Sequence, residues 1–230
     1  MKEWWRSFFG LFFPNLCFAC NSEEKPWDDI LCVLCKGQLP LTRQYLHKEN
    51  GFTDRFWGRF PFFTGAAYLF FQPKGNIQNL IHALKYREKK QIGTILGEEF
   101  GRLLSTSPYY QHLDLIVPVP LHPKKLKSRG YNQSDFFALG LSRSMKIETI
   151  PNAIKRVKDT STQTAMGRME RLENMLTSFE ICDELVIRGK SILLVDDVLT
   201  TGATMEACAQ VLINAGAAKI SMATIAMALD

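Results

Sequence analysis

The stretch ILLVDDVLTTGAT, residues 192–204, decides how the rest of the chain is read. Ile192 to Val195 are apolar without alternation, as in a strand buried on both faces of a parallel sheet. They run into two adjacent acids, Asp196 and Asp197, and then into threonines around one glycine. A helix is expected from about residue 203 to 214, closed by Gly216 at its C-terminal cap. The stretch is then a strand-to-helix turn at the carboxyl end of a buried strand, where open α/β sheets place their ligands. Backbone N–H groups at a helix start have no intrahelical partner, and the helix dipole there favours an anion. Gly202 lets the backbone approach closely, Thr200, Thr201 and Thr204 add hydroxyls, and Ala203 opens the helix. That makes a cradle for a phosphate monoester. Asp196 and Asp197 lie one step earlier and suit sugar hydroxyls or a hydrated Mg²⁺. A ribose phosphate has those two needs at that separation.

The flanks agree with an α/β domain. TGAAYLFF (64–71) reads as a strand, and NIQNLIHALKY (76–86) as an amphipathic helix. A second helix spans about 91–104, with Ile92, Ile95, Leu96, Phe100 and Leu103 at helical spacing. LDLIVPVP (113–120) is a buried strand ending at prolines, NQSDFFALGLSRSM (132–145) returns as a helix, and Lys219–Met227 supplies another strand. Strand, helix and strand within about 35 residues make a right-handed βαβ unit on a parallel sheet. Residues 39–62 lack clean periodicity and read as a linker, partly packed through Phe56 and Trp57. The expected organisation is a module over 1–38, a linker over 39–62 and the α/β domain over 63–230.

Three lookalikes fail. RGKS (188–191) resembles the end of a Walker A loop, but the position five before Gly189 is Glu184, and the segment opens a strand. No G-x-G occurs, so the dinucleotide fingerprint is missing. Receiver domains carry paired acids on their first strand, whereas only 33 residues follow Asp197.

Cys17, Cys20, Cys32 and Cys35 form two C-x-x-C knuckles separated by the eleven residues 21–31. Four thiolates so spaced can surround one structural Zn²⁺. The alternative, a pair of disulfides, needs an oxidising compartment that nothing in the sequence indicates. Cys182 and Cys208 have no partner motif and read as buried or incidental thiols. The 46% apolar, 22% charged composition is that of a globular protein, and a net charge of +5 suits phosphate-bearing ligands or nucleic acid. No apolar run reaches the roughly 18 residues of a membrane span, so no integral membrane association is expected and the chain reads as cytoplasmic. The N-terminal MKEWWRSFFGLFFPNLC is interrupted by Arg6, stopped by Pro14 and lacks a small-residue cleavage site, unlike a signal peptide. Its Trp4, Trp5, Phe8, Phe9, Phe12 and Phe13 fit a short helix that either docks on the main domain or lies on a membrane surface.

ILLVDDVLTTGAT resembles the phosphoribosyl pyrophosphate (PRPP) loop of type I phosphoribosyltransferases. VPVPLHPKKLKSRGYNQ (117–133), LIHALKY (80–86), R-x-K-x-T-x-x-Q (156–163) and RLEN (171–174) extend the resemblance to the ComF family, whose members also carry an N-terminal cysteine zinc module. The resemblance implies a type I phosphoribosyltransferase-like parallel sheet flanked by helices, with a small four-cysteine zinc module ahead of it. It implies that Asp196 and Asp197 hold the ribose hydroxyls of PRPP, that Thr200, Thr201, Gly202, Ala203 and Thr204 take its 5′-phosphate, and that Mg²⁺ enters with PRPP. Pyrophosphate leaves C1 of the ribose through an oxocarbenium-like state in such enzymes, and a carboxylate pair favours that positive charge. The loop after Pro120, with Lys124, Lys125, Lys127 and Arg129, is a candidate for the pyrophosphate or else a solvated basic loop. Lys85 and Arg87 compete for the same role. Arg156, Thr160 and Gln163 fit a segment over the site. Thr200 stands where hypoxanthine–guanine phosphoribosyltransferases carry an Asp, and no other acid or His offers itself as the acceptor's base; His82, His112 and His122 read as surface residues. The family's association with natural transformation leaves single-stranded DNA as a candidate partner, with PRPP then a regulatory ligand without turnover. A third alternative is a regulator that kept the PRPP pocket and lost catalysis.

Overall fold

The computed structural model describes residues 16–23, 29–157 and 178–229. Five strands form one sheet, all neighbours parallel: β1 (Thr64–Phe71), β2 (Leu115–Pro118), β3 (Glu148–Thr149), β6 (Ser191–Leu199) and β7 (Lys219–Ala228), in the spatial order β1-β7-β6-β2-β3. A two-stranded antiparallel ribbon, β4 (Ile154–Arg156) with β5 (Phe179–Ile181), stands apart from it. The chain leaves β2 for β3 on one side and β6 for β7 on the other. The crevice beyond the carboxyl ends of β2 and β6 is therefore the topological switch point of the sheet.

Helices cover both faces. One face carries α3 (Asn76–Tyr86), α4 (Gln91–Thr106) and α6 (Gln133–Met145), with Leu80, Leu84, Leu96, Phe100 and Phe137 all fully buried. The other carries α8 (Ala203–Asn214), the β4–β5 ribbon and three aromatics, Phe52, Phe56 and Phe60. Two single turns, α1 (Val33–Gly37) and α7 (Glu184–Ile187), start at the side-chain caps of Cys32 and Asp183. Helices α4 and α6 meet backbone to backbone. A Cβ on Gly140 would lie 2.1 Å from the Thr94 carbonyl oxygen, and one on Gly97 2.4 Å from that of Phe137. This close crossing fixes the start of α6 beside the switch point.

Residues 39–62 are folded onto the sheet instead of spanning a gap. Leu41 bridges Leu69 of β1, and Asn50 caps the short α2 (Gly51–Asp54) while its amide donates to the carbonyls of Gln44, His47 and Gly65. Phe52, Phe56 and Phe60, four apart, make the buried face of a helical turn that continues past α2. Phe56 packs as expected, but Trp57 is 73% exposed, because that helical phase turns it away from the sheet. Among the described residues, no helix is long and apolar enough to cross a membrane.

Candidate ligand site

Strand β6 runs longer than its apolar core. Asp196 pairs with Thr224 and Val198 with Ala226, so both acids lie within the strand and only Thr200 begins the turn. The partner strand β7 continues to Ala228 and keeps β6 extended beyond Val195. Adjacent residues of a strand face opposite ways, and the two carboxylates accordingly find different partners. Asp197 Oδ2 is 2.9 Å from Lys85 Nζ in the last turn of α3. Asp196 Oδ1 accepts from Ser134 Oγ at 2.9 Å and from the Asp197 N–H at 2.8 Å. Burial, together with the charge of Asp197, pushes the Asp196 carboxyl up to about 7. Lys85, Ser134 and the Asp197 N–H oppose that rise without cancelling it. Cys208 of α8 is fully buried, and burial plus the negative Asp196 raises its thiol well above the ordinary range, which leaves it inert. Cys182 is exposed.

Beyond Asp197 the chain turns through Thr200, Thr201 and Gly202 into α8. Gly202 caps this helix with φ +79°, and a Cβ there would meet Phe56 Cε1 at 2.6 Å. Only glycine suits both the left-handed backbone and that contact. Thr200, Thr201, Gly202, Ala203 and Thr204 line a small recess together with Asp196. The loop is braced from outside: Arg55 donates to the carbonyl oxygens of Thr200 (2.5 Å) and Ala228 (2.6 Å), and Arg59 to that of Thr201 (3.0 Å). Neither arginine stands out by residue type, but GFTDRFWGRF sets both arginines and three phenylalanines at intervals of four, and that period was the available signal.

The basic stretch after Pro120 is a short helix, α5 (Pro123–Arg129), and not the loop expected. Pro123 at its first turn, the His122 ring accepting from the Lys124 N–H, and Gly130 in the left-handed region explain the difference. His122 is buried by this capping role, which corrects its reading as a surface residue. His82 is exposed, and His112 half-buried against Phe63. Lys85, Lys125 and Arg129 line one cavity of about 360 Å³ with Tyr86, Glu88, Ser128 and Tyr131. The Arg129 guanidinium lies 5.1 Å from the Tyr86 ring centre and donates to Gln133 Oε1. Arg87 and Lys124 do not line this cavity. Helix α6 brings further polar groups that sequence reasoning passed over. Asn132 Nδ2 donates to the Val119 carbonyl and to Asp135 Oδ1, and burial pushes the Asp135 carboxyl up to about 6 against that bond. Arg156 lies on the ribbon with its guanidinium over Phe179, 5.3 Å from the ring centre. Thr160, Gln163, the RLEN stretch and the N-terminal aromatics Trp4 to Phe13 fall outside the described residues.

The four knuckle cysteines converge. Their Sγ atoms all lie within 4.8 Å of one another, with Cys20 and Cys32 at 3.8 Å. A tetrahedron with Zn–S bonds of about 2.3 Å sets its sulfurs about 3.8 Å apart, so the cluster is compatible with a structural zinc. All four are free thiols, and Ser22 draws that of Cys20 down to about 6. The Cys32 N–H points at Cys17 Sγ and the Cys35 N–H at Cys32 Sγ. Cys17, Cys32 and Cys35 also share the apolar cluster of Ile77 and Leu80, and Asn79 of α3 donates to the Ala19 carbonyl.

In sequence the chain is similar to one group of known proteins over nearly its whole length. The chain is 33% identical over 216 residues to the DNA utilization protein YhgH of Escherichia coli K12, covering 90% of this chain and 88% of that protein. It belongs to the ComF family. Competence protein ComFC of Bacillus subtilis is 25% identical over 225 residues, covering 96% of this chain and 88% of that one. Competence protein F of Haemophilus influenzae is 36% identical over 116 residues, about half of each chain. Residues 137–229 match the family described as phosphoribosyl transferase domain. The α/β fold with its parallel sheet is thus that of a phosphoribosyltransferase domain with a metal-competent cysteine cluster at its N-terminal side.

Proposed function

We propose that this chain binds PRPP at the switch point and uses it in a phosphoribosyltransferase-type reaction. One observation carries the reading. The acids Asp196 and Asp197, the glycine-capped loop of Thr200–Thr204 and the cavity of Lys85, Lys125 and Arg129 are linked by the Lys85–Asp197 ion pair. The 5′-phosphate takes the loop, the ribose hydroxyls the acids, and the pyrophosphate the basic cavity. Mg²⁺ entering with PRPP would neutralise charge on the leaving group. The residues then divide the remaining work. The acid pair favours positive charge developing at C1, the cations hold the pyrophosphate, and Ser134 fixes the Asp196 carboxyl. Zinc in the Cys17, Cys20, Cys32 and Cys35 cluster is structural in this reading and takes no part in the chemistry. The cysteine module packs on the phosphoribosyltransferase domain, chiefly against α3 and α4.

PRPP with Mg²⁺ should raise the melting temperature, because a ligand selective for the folded state stabilises it. Asp197→Ala should weaken binding by about 1.5–3 kcal/mol, the range for charged hydrogen bonds. Thr201→Glu should weaken it further by setting a charge against the phosphate. Calorimetric titrations unchanged in both variants reject this assignment.

A second reading follows from the relatives' names, which refer to DNA utilization and competence. Lys125 and Arg129 of the cavity lie on the same short helix as Lys124 and Lys127. Single-stranded DNA bound along this helix would compete with PRPP, and its affinity would fall steeply with salt. Anisotropy titrations at two salt concentrations, with and without PRPP, separate a DNA-binding protein regulated by PRPP from an enzyme that ignores DNA.

A further inference from the structure

The arginines outside the loop do more than brace it. A trans peptide is planar, with its C=O and the following N–H pointing in opposite directions. Arg55 holds the carbonyl of Thr200, so it also fixes the direction of the Thr201 N–H. Arg59 holds the carbonyl of Thr201 and so fixes the Gly202 N–H. No cis peptide interrupts this geometry. Both N–H groups therefore point away from the arginines, and among the described residues neither donates to a backbone carbonyl. We propose that Arg55 and Arg59 are positioning residues that aim the Thr201 and Gly202 N–H groups at the 5′-phosphate. The inference rests on the phosphate reading of the loop given above.

Three features make this more than incidental packing. Arg55 and Arg59 are four residues apart on one helical turn, the spacing that brings two side chains to one face. The same turn presents Phe56 against Gly202, closing the space where a side chain would stand and holding the residue at φ +79°. The platform is anchored on β1 and β7 and not on the loop alone. Asn50 ties α2 to the Gly65 carbonyl, and Arg55 reaches in addition to the Ala228 carbonyl at the end of β7. Arg59 is shared with Glu206, 3.3 Å away in the first turn of α8. One anchored turn thus sets two consecutive peptide planes before any ligand arrives. Donors oriented in advance need no reorganisation on binding.

The test uses ribose 5-phosphate, which needs the loop, and pyrophosphate with Mg²⁺, which does not. Arg55→Met and Arg59→Met should each lower the affinity for ribose 5-phosphate by roughly tenfold, the loss of one charged hydrogen bond's worth of orientation. Pyrophosphate should bind as to the wild type. Arg59→Lys should recover most of the loss, because an ammonium can still donate to the Thr201 carbonyl. In ¹⁵N spectra at saturating ribose 5-phosphate, the Thr201 and Gly202 amides should shift strongly in the wild type and distinctly less in the methionine variants. Variants that bind ribose 5-phosphate like the wild type overturn the inference, as does an equal loss of both probes. Wild-type protein that binds neither ribose 5-phosphate nor PRPP rejects the phosphate reading itself, and this inference falls with it.

Discussion

Lys85 Nζ lies 2.9 Å from Asp197 Oδ2, joining the last turn of α3 to the end of β6. Both side chains are largely withdrawn from water, at 23% and 15% exposure, so the pair is screened less than a surface salt bridge. It also stands between the two halves of the proposed site. Lys85 lines the basic cavity, whereas Asp196, next to Asp197 on β6, lines the recess of the threonine loop. In the proposed binding mode a ribose would share Asp197 with Lys85, and a pyrophosphate would share Lys85 with Asp197.

That geometry predicts a ligand-dependent effect of removing the lysine. Lys85→Met should weaken PRPP by roughly tenfold to a hundredfold, in line with a charged hydrogen bond. Ribose 5-phosphate, which has no pyrophosphate, should change by no more than a few-fold. Calorimetry with the two ligands reads the difference. Equal losses would show that Lys85 merely holds Asp197 in place.

Gly202→Ala should damage the loop selectively. The new Cβ would be strained at φ +79° and would press on Phe56 at 2.6 Å, within a fully buried aromatic cluster. Overpacking and left-handed strain together should cost about 1–3 kcal/mol in urea unfolding. PRPP binding should fall further than stability does, because the Gly202 N–H is displaced with its backbone. A variant as stable and as tightly binding as the wild type would mean that the turn relaxes freely.

Much of this site could be read before the structure, and the misses share a cause. Strands β1 and β6, helices α3 and α8 and the acid-to-threonine loop follow from local periodicity and from glycine, which the sequence displays directly. The positions of Lys85, Lys125 and Arg129 on one cavity wall depend on how two helices, α3 and α5, far apart in sequence, pack together. Spacing alone left Lys85 and the basic stretch as rivals, and the fold makes them neighbours. Arg55 and Arg59 escaped notice because their partners are backbone carbonyls more than 140 residues away, which carry no residue-type signature. Ser134 and Asp135 were hidden for a related reason, since a serine and an acid in a first helical turn usually serve as caps. Here Ser134 reaches Asp196, 62 residues further on.

The cysteine cluster should hold close to one equivalent of zinc by elemental analysis, and Cys32→Ser should lose it. The cluster packs into the same apolar core as Ile77 and Leu80, so metal loss should lower the melting temperature of the whole chain. Asn76→Ala removes the amide that lies 3.8 Å from Cys35 Sγ, and such outer partners tune metal retention. It should retain zinc yet release it faster to a chelator. Protein without metal, with the four thiols oxidised in pairs, would overturn the zinc assignment.

The buried acid makes a prediction about pH. The Asp196 carboxyl is pushed from an ordinary 3.8 up to about 7 by burial and by the charge of Asp197. Between those values the folded chain keeps a proton that the unfolded chain has released. Stability therefore falls as pH rises through that window, by at most about 1.4 kcal/mol per pH unit for one proton, and this contribution is flat above it. Below about 4 both states are protonated and the penalty vanishes. Asp196→Asn keeps the shape and removes the charge, so its stability relative to the wild type should improve from pH 4 to pH 7.5 in urea unfolding. The same substitution should abolish the rise in melting temperature caused by PRPP and Mg²⁺. An acid retained at a cost to stability, and needed for the ligand, is what a functional carboxylate requires. If Asp196→Asn shows the same difference from the wild type at both pH values, the carboxyl titrates near its ordinary value and burial does not govern it.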